Sequence, residues 1–260
     1  MIESLSQLTG VTKDAVVDLL YRMADDELII GHRNSEWTGL APILEGDIAF
    51  SSMAQDEMGH ARAFYEMLHE LGEPDPDTLA FTRKPRQFRC ASLVALPNQH
   101  DWGFCILRQF LYDSAEMVRL TALSAGTLVP LAQLATKLRG EEKYHLMHGR
   151  NWVLRLGNST EDAHERLQSA LHKSYPHALG LFEPTEADEP LAQSGICQGE
   201  EELQRQWESS VAPVLGDAGL ATPEMARPMY GGRRGKHDEA LTQLLGDLQS
   251  VHSLDPSAKW

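Results

Sequence analysis

Two short motifs constrain this chain more than any other feature: Glu57-Met58-Gly59-His60 and Glu142-Lys143-Tyr144-His145. In each, a glutamate and a histidine stand three apart, a spacing that on a helix sets both side chains on one face, a turn from each other. Around the first motif, Ile48, Phe50, Met53, Ala54, Ala61, Phe64, Met67, Leu68 and Leu71 keep a helical rather than an alternating rhythm. A carboxylate in or beside such an apolar face is costly unless it is paired or bound to metal. Two Glu-x-x-His pairs on two long helices, with one carboxylate from each of two more, are the sequence form of a dinuclear site in a four-helix bundle.

The rest of the composition is compatible with that architecture and closes off others. A chain of 260 residues that is 42% hydrophobic can bury a large core. Its net charge of −15 argues against a nucleic-acid partner, because neutralising phosphates takes a basic surface. Cys90, Cys105 and Cys197 form no C-x-x-C pair and no disulfide framework. The opening Met1-Ile2-Glu3-Ser4 has no basic segment ahead of an apolar run. No stretch approaches the roughly 20 apolar residues of a membrane span. The expectation is a soluble, cytoplasmic protein.

Apolar periodicity predicts a first helix from Thr12 to about Gly31 and a second from Pro42 to about Leu71, stopped by Gly72-Glu73-Pro74. Residues 74–99 carry Pro85 and Pro97 and read as a long crossover. A third helix is expected over Trp102–Ser124 and a fourth from Pro130 to about Leu156. Thr160-Glu161-Asp162-Ala163 has the capping pattern of a fifth. Gly180 to Gly199 reads as a loose acidic surface excursion, followed by helices near Glu200–Val211 and Asp238–Val251. The fold class is therefore all-α: a single domain over 1–260, with a four-helix core at about 12–157 and a helical extension over about 158–260.

On the first helix Glu27, set among Leu28, Ile29 and Ile30, lies 30 residues before Glu57 and is preferred to its neighbours Asp25 and Asp26. On the third helix Asp113 and Glu116 share a face. Asp113, 29 residues before Glu142, fits the spacing of the first half slightly better, and Glu116 is the alternative. The expected ligand set is thus Glu27, Glu57, His60, Asp113, Glu142 and His145, donors that suit two iron ions, or manganese. Asp56 and Glu141 precede the motif glutamates at matching positions, where they could orient His145 and His60 through the second ring N–H.

Further stretches carry a resemblance. Asp77-Thr78-Leu79-Ala80-Phe81-Thr82-Arg83 with Arg86-Gln87-Phe88, then Glu142-Lys143-Tyr144-His145, Trp152 to Asn158 and Gly231-Gly232-Arg233-Arg234-Gly235-Lys236-His237 resemble the phenylacetyl-CoA oxygenase (ring 1,2-epoxidase) family. The likeness is to its C-type, PaaC-like subunits, and it extends to the final Trp260. It implies a ferritin-like fold and a complex with the catalytic A-type subunit, which carries the di-iron site and takes the CoA thioester. It also implies a structural role for the C-type subunits, whose bundle in well-known members lacks a full ligand set. This chain departs from that pattern, since all six positions named above match the ligand positions of the catalytic subunit. Function expectations follow: a subunit of an O2-dependent epoxidase in phenylacetate degradation, with catalysis here or only on the partner. The alternatives are a stand-alone ferritin-like iron-binding or iron-oxidising protein, forming a homo-oligomer, and a metal-free scaffold. The basic segment Gly231–Lys236 could meet a partner or a CoA phosphate, or be a solvated loop.

Overall fold

The structure is a computed structural model and describes residues 1–255; Trp260 lies outside the described residues. Among them are ten α-helices: α1 (Gly10–Ser35), α2 (Leu44–Glu70), α3 (Pro76–Phe81), α4 (Ser92–Ala95), α5 (Trp102–Ser124), α6 (Val129–Gly157), α7 (Glu161–Leu179), α8 (Asp188–Gln193), α9 (Glu200–Asp217) and α10 (Glu239–Leu248). The described residues form no strand, only an isolated bridge between Ile2 and Leu128. Several helix starts follow from side-chain caps. Asp75, Asp101, Thr160 and Asp238 each accept a backbone N–H from the first turn of α3, α5, α7 and α10. The chain divides into two compact units, one of residues 1–18 and 98–230, the other of 19–97 and 231–260.

In the unit that holds most of α1 together with α2, α3, α4 and α10, two adjacent aspartates of α1 organise distant segments. Asp25 accepts from the Tyr65 hydroxyl at 2.6 Å, from the Arg89 N–H at 2.6 Å and from both terminal nitrogens of Arg83. Asp26 accepts from the Ala91 N–H at 2.7 Å and pairs with Arg233 at 2.7 Å. The sequence rivals of Glu27 are therefore committed elsewhere. The basic segment is likewise not a uniform solvated loop. Gly232 sits where a Cβ would come within 2.3 Å of the Cys90 carbonyl oxygen, and Arg233 is buried, while Arg234 and Lys236 face solvent.

The other unit pairs α5 with α6 and covers them with α7 and α9. Helices α5 and α6 approach closely at Gly149, where a Cβ would stand 3.1 Å from the Phe110 Cα. Trp207 of α9 donates its indole N–H to the Leu111 carbonyl at 3.0 Å. Arg119 of α5 grips both oxygens of Glu200, at 2.7 and 2.9 Å.

Three expectations are corrected. Gly31 does not end α1, which runs on to Ser35. Residues 180–199 are not a loose excursion: Leu181, Phe182, Leu191, Ile196 and Cys197 are buried and α8 lies among them. The helix expected to stop at Val211 continues through Pro213 to Asp217, burying Val214 and Leu215.

Candidate metal centre

Both motifs lie on helices and face inward, as their spacing requires. On α2, Glu57 and His60 are buried; on α6, so are Glu142 and His145. In each pair the same ring nitrogen turns toward the glutamate of its own motif: His60 Nδ1 is 3.6 Å from Glu57 Oε2, and His145 Nδ1 is 3.3 Å from Glu142 Oε2.

Glu27 joins the first pair. The thirty-residue step from Glu27 to Glu57 carries the chain out of α1 and back along α2, and the two carboxylates meet beside His60. One ligand atom from each of Glu27, Glu57 and His60 lies within 4.8 Å of the others. Close helix approach makes this fit. Gly31, one turn after Glu27, faces Glu57 so tightly that an added Cβ would stand 2.9 Å from the Glu57 Cβ. Gly31→Ala is accordingly expected to lower stability by about 1–3 kcal/mol through overpacking. Gly59→Ala, on the open side of α2 with nothing within 4 Å, should raise it by up to ~1 kcal/mol through helix propensity. Urea denaturation of the two variants checks the opposite signs, and equal effects would show that α1 and α2 do not touch at Gly31.

The electrostatics of this triad are set by burial and by the closeness of its three groups. Burial, and then the adjacent Glu57 carboxylate, hold the Glu27 carboxyl well above the usual range. Burial alone would lower His60, yet Glu27 and then Glu57 push its imidazole up to about 12. Neither Glu27 oxygen accepts a well-formed hydrogen bond, and His60 Nδ1 stands 3.4 Å away. In that dry place the two carboxylates and the imidazole are donor groups that a divalent cation could share, displacing their protons.

The remaining expected residues are placed as follows. Asp113 is buried on α5 and accepts from the Gln109 amide at 2.6 Å. Glu116 is buried too, but it lies 3.7 Å from Arg119, the arginine held by Glu200. Asp56 and Glu141 are half-buried beside their motifs. His69 is on the surface, with Nδ1 3.0 Å from the Glu73 carbonyl oxygen. His148 is half-buried, its ring 6.4 Å from that of Trp152. Gln109 and the two packing glycines were missed from the sequence. A glycine one turn after an expected ligand on each of α1 and α6 was the available signal.

A family model described as phenylacetic acid catabolic protein matches residues 1–260. The chain belongs to that family. Among curated relatives, the C-type subunit of the 1,2-phenylacetyl-CoA epoxidase of Escherichia coli is 34% identical over 257 residues, covering 98% of this chain and 100% of the relative. The A-type subunit of the same enzyme is 22% identical over 228 residues, covering 86% of this chain and 73% of the relative. A solved structure titled "Protein 19 with aldehyde deformylating oxidase activity from Synechococcus" matches at a TM-score of 0.58 and 16% identity, covering 82% of this chain and 95% of the other. The family member described here thus has an all-α, ferritin-like fold. Its buried Glu/His group could hold a metal ion. None of its described helices is long and apolar enough to cross a membrane.

Proposed function

We propose that the chain is the C-type subunit of a cytoplasmic multicomponent phenylacetyl-CoA epoxidase, that it binds the catalytic A-type subunit, and that it carries a pair of iron ions of its own. The observation that supports the first part most is the 34% identity to a C-type subunit, running the full length of that relative. The second part is supported by the Glu27–Glu57–His60 triad in one unit and the buried Glu142–His145 pair in the other, two instances of one motif with one ring-nitrogen geometry. Asp113 completes the set, because Glu116 is already beside a cation.

Ligated iron, when bound, supplies the redox capacity and Lewis acidity with which such sites activate O2. The protein's own part is distinct. Glu27, Glu57, Asp113 and Glu142 would provide anionic oxygens and balance charge, and His60 and His145, once deprotonated, would provide neutral nitrogen donors. Gln109 holds one oxygen of Asp113 at 2.6 Å and so fixes which oxygen is presented. Asp56 and Glu141 are assigned to orienting the imidazoles. The CoA thioester reaches this chain only through the complex.

The test is an anaerobic ferrous titration of the isolated chain and of its co-expressed complex with a cognate A-type subunit, followed by light scattering. A hetero-complex, with two irons per C-type chain lost in the His60→Ala/His145→Ala variant, is the expected result. A homo-oligomer that takes up iron but ignores the A-type partner would establish the stand-alone iron protein instead. A hetero-complex with equal iron in wild type and variant would leave a metal-free scaffold.

A further inference from the structure

The helix that carries the second motif has two faces of opposite character. Leu131, Ala135, Leu138, Glu142, His145, Gly149 and Val153 form its buried stripe. Its other side presents Gln133, Thr136, Lys137, Gly140, Lys143, Tyr144, Met147 and Arg150. Tyr144 and Met147, adjacent on that side, are 67% and 52% exposed, large apolar surfaces left in water at the middle of the helix. Beside them is Gly140, one turn before Tyr144, with nothing within 4 Å of where a Cβ would be. A glycine in the exposed interior of a helix weakens it, and here no neighbour within the chain requires one. At the start of the same helix a shallow open cavity of about 400 Å³ is lined by Met1, Val129, Ala132, Gln133 and Thr136.

Charge sets this face apart from the rest of the molecule. The protein carries a net −15, yet the solvent-facing and half-buried charges of α6 are Lys137, Arg139, Lys143, Arg150 and Arg155 against Glu141 alone. An apolar centre with a glycine for close approach and a basic rim is the anatomy of a protein interface. A second copy of this chain would not suit it. A two-fold contact through this face would set one basic rim against another. The occupant must bring the opposite charge.

We propose that the outer face of α6, centred on Tyr144 and Met147 and bordered by Lys137, Lys143 and Arg150, is where the A-type partner docks through an acidic, apolar-centred helix. This rests on the partnership put forward above and adds its location. Tyr144 is the anchor, since a large aromatic ring at the centre of a desolvated patch carries much of a typical interface's affinity. The basic rim steers the encounter, so association slows as salt screens it. Placing the contact on α6 also puts the partner against the helix whose opposite face bears Glu142 and His145.

The experiment measures affinity of the full-length chain for the purified A-type partner by interferometry at low and high salt. The variants are Tyr144→Ala/Met147→Ala, Lys143→Glu/Arg150→Glu, and Arg166→Glu on exposed α7 as a control, each checked by circular dichroism and thermal melting. Both double variants should lose on the order of 100-fold in affinity with unchanged melting, and the control should stay within about 2-fold. Wild-type association should slow at high salt, and Lys143→Glu/Arg150→Glu should abolish that dependence. Wild type that binds tightly while both double variants bind equally well overturns the location but leaves the partnership. Wild type that fails to bind the A-type partner overturns both. Retained affinity for that partner with lost binding of free CoA to the charge-reversed variant would reassign the face to the thioester.

Discussion

Arg233→Ala should cost about 3–5 kcal/mol in a urea denaturation, the range for removing one partner of a buried ion pair. The Asp26 carboxylate and the Arg233 guanidinium are both buried and 2.7 Å apart. The arginine also donates to the Arg89 carbonyl at 3.0 Å, so one side chain ties the C-terminal segment to α1 and to the chain leading into α4. Truncating it removes the Arg233 guanidinium from a buried carboxylate, and the bond from the Ala91 N–H is a neutral one that does not replace that charge. Since whole domains are stable by only about 5–15 kcal/mol, the variant is expected to purify poorly. Arg234→Ala and Lys236→Ala, on exposed side chains of the same segment, should each stay within about 0.5 kcal/mol. Asp26→Asn/Arg233→Met, which removes both charges and keeps volume, should recover most of the loss. A stable Arg233→Ala protein whose only defect is CoA binding would instead restore the ligand-contact reading of this segment.

That segment shows where sequence reading reached its limit. Helical periodicity and the Glu-x-x-His spacing are local, so the motif helices were placed within a few residues, and Trp102–Ser124 was placed as observed. Local signals are ambiguous for glycine. Gly31 at the end of an apolar stripe looks like a helix stop, yet it lies inside α1, one turn before its end, where it lets α2 pack close. The fates of Asp25 and Asp26 depended on Arg83 and Arg233, partners far along the chain that no periodicity connects. Setting Glu27 beside Glu57 was legible because a matched separation across a helical hairpin has one simple outcome. Residues 180–199 misled through composition. Gly180 and the acids among them suggest a loop, but Leu181, Phe182 and Ile196 are spaced to bury, and they do.

Glu27→Gln should move metal binding and stability in opposite directions, which separates a metal centre from an internal salt bridge. In the metal-free chain Glu27 is a buried carboxylate beside a second one, Glu57, with His60 close to both and no well-formed hydrogen bond to its own oxygens. Burial and that like charge already disfavour its ionised form. A glutamine of the same shape relieves the repulsion and leaves His60 paired with Glu57 at 3.6 Å. The metal-free variant should therefore gain about 1–2 kcal/mol, the scale on which polar functional sites trade stability for activity. Ferrous affinity should fall by on the order of 100-fold, because a neutral amide replaces an anionic oxygen donor, at the upper end of the 10- to 100-fold loss typical of an outer partner. The comparison needs a calorimetric melt of chelator-treated protein and an anaerobic titration of the same preparations. Were Glu27 only the counter-charge of His60, the substitution would destabilise the chain and leave its iron content untouched. That pair of signs would end the case for a metal at α1 and α2, and the partnership with an A-type subunit would stand on likeness alone.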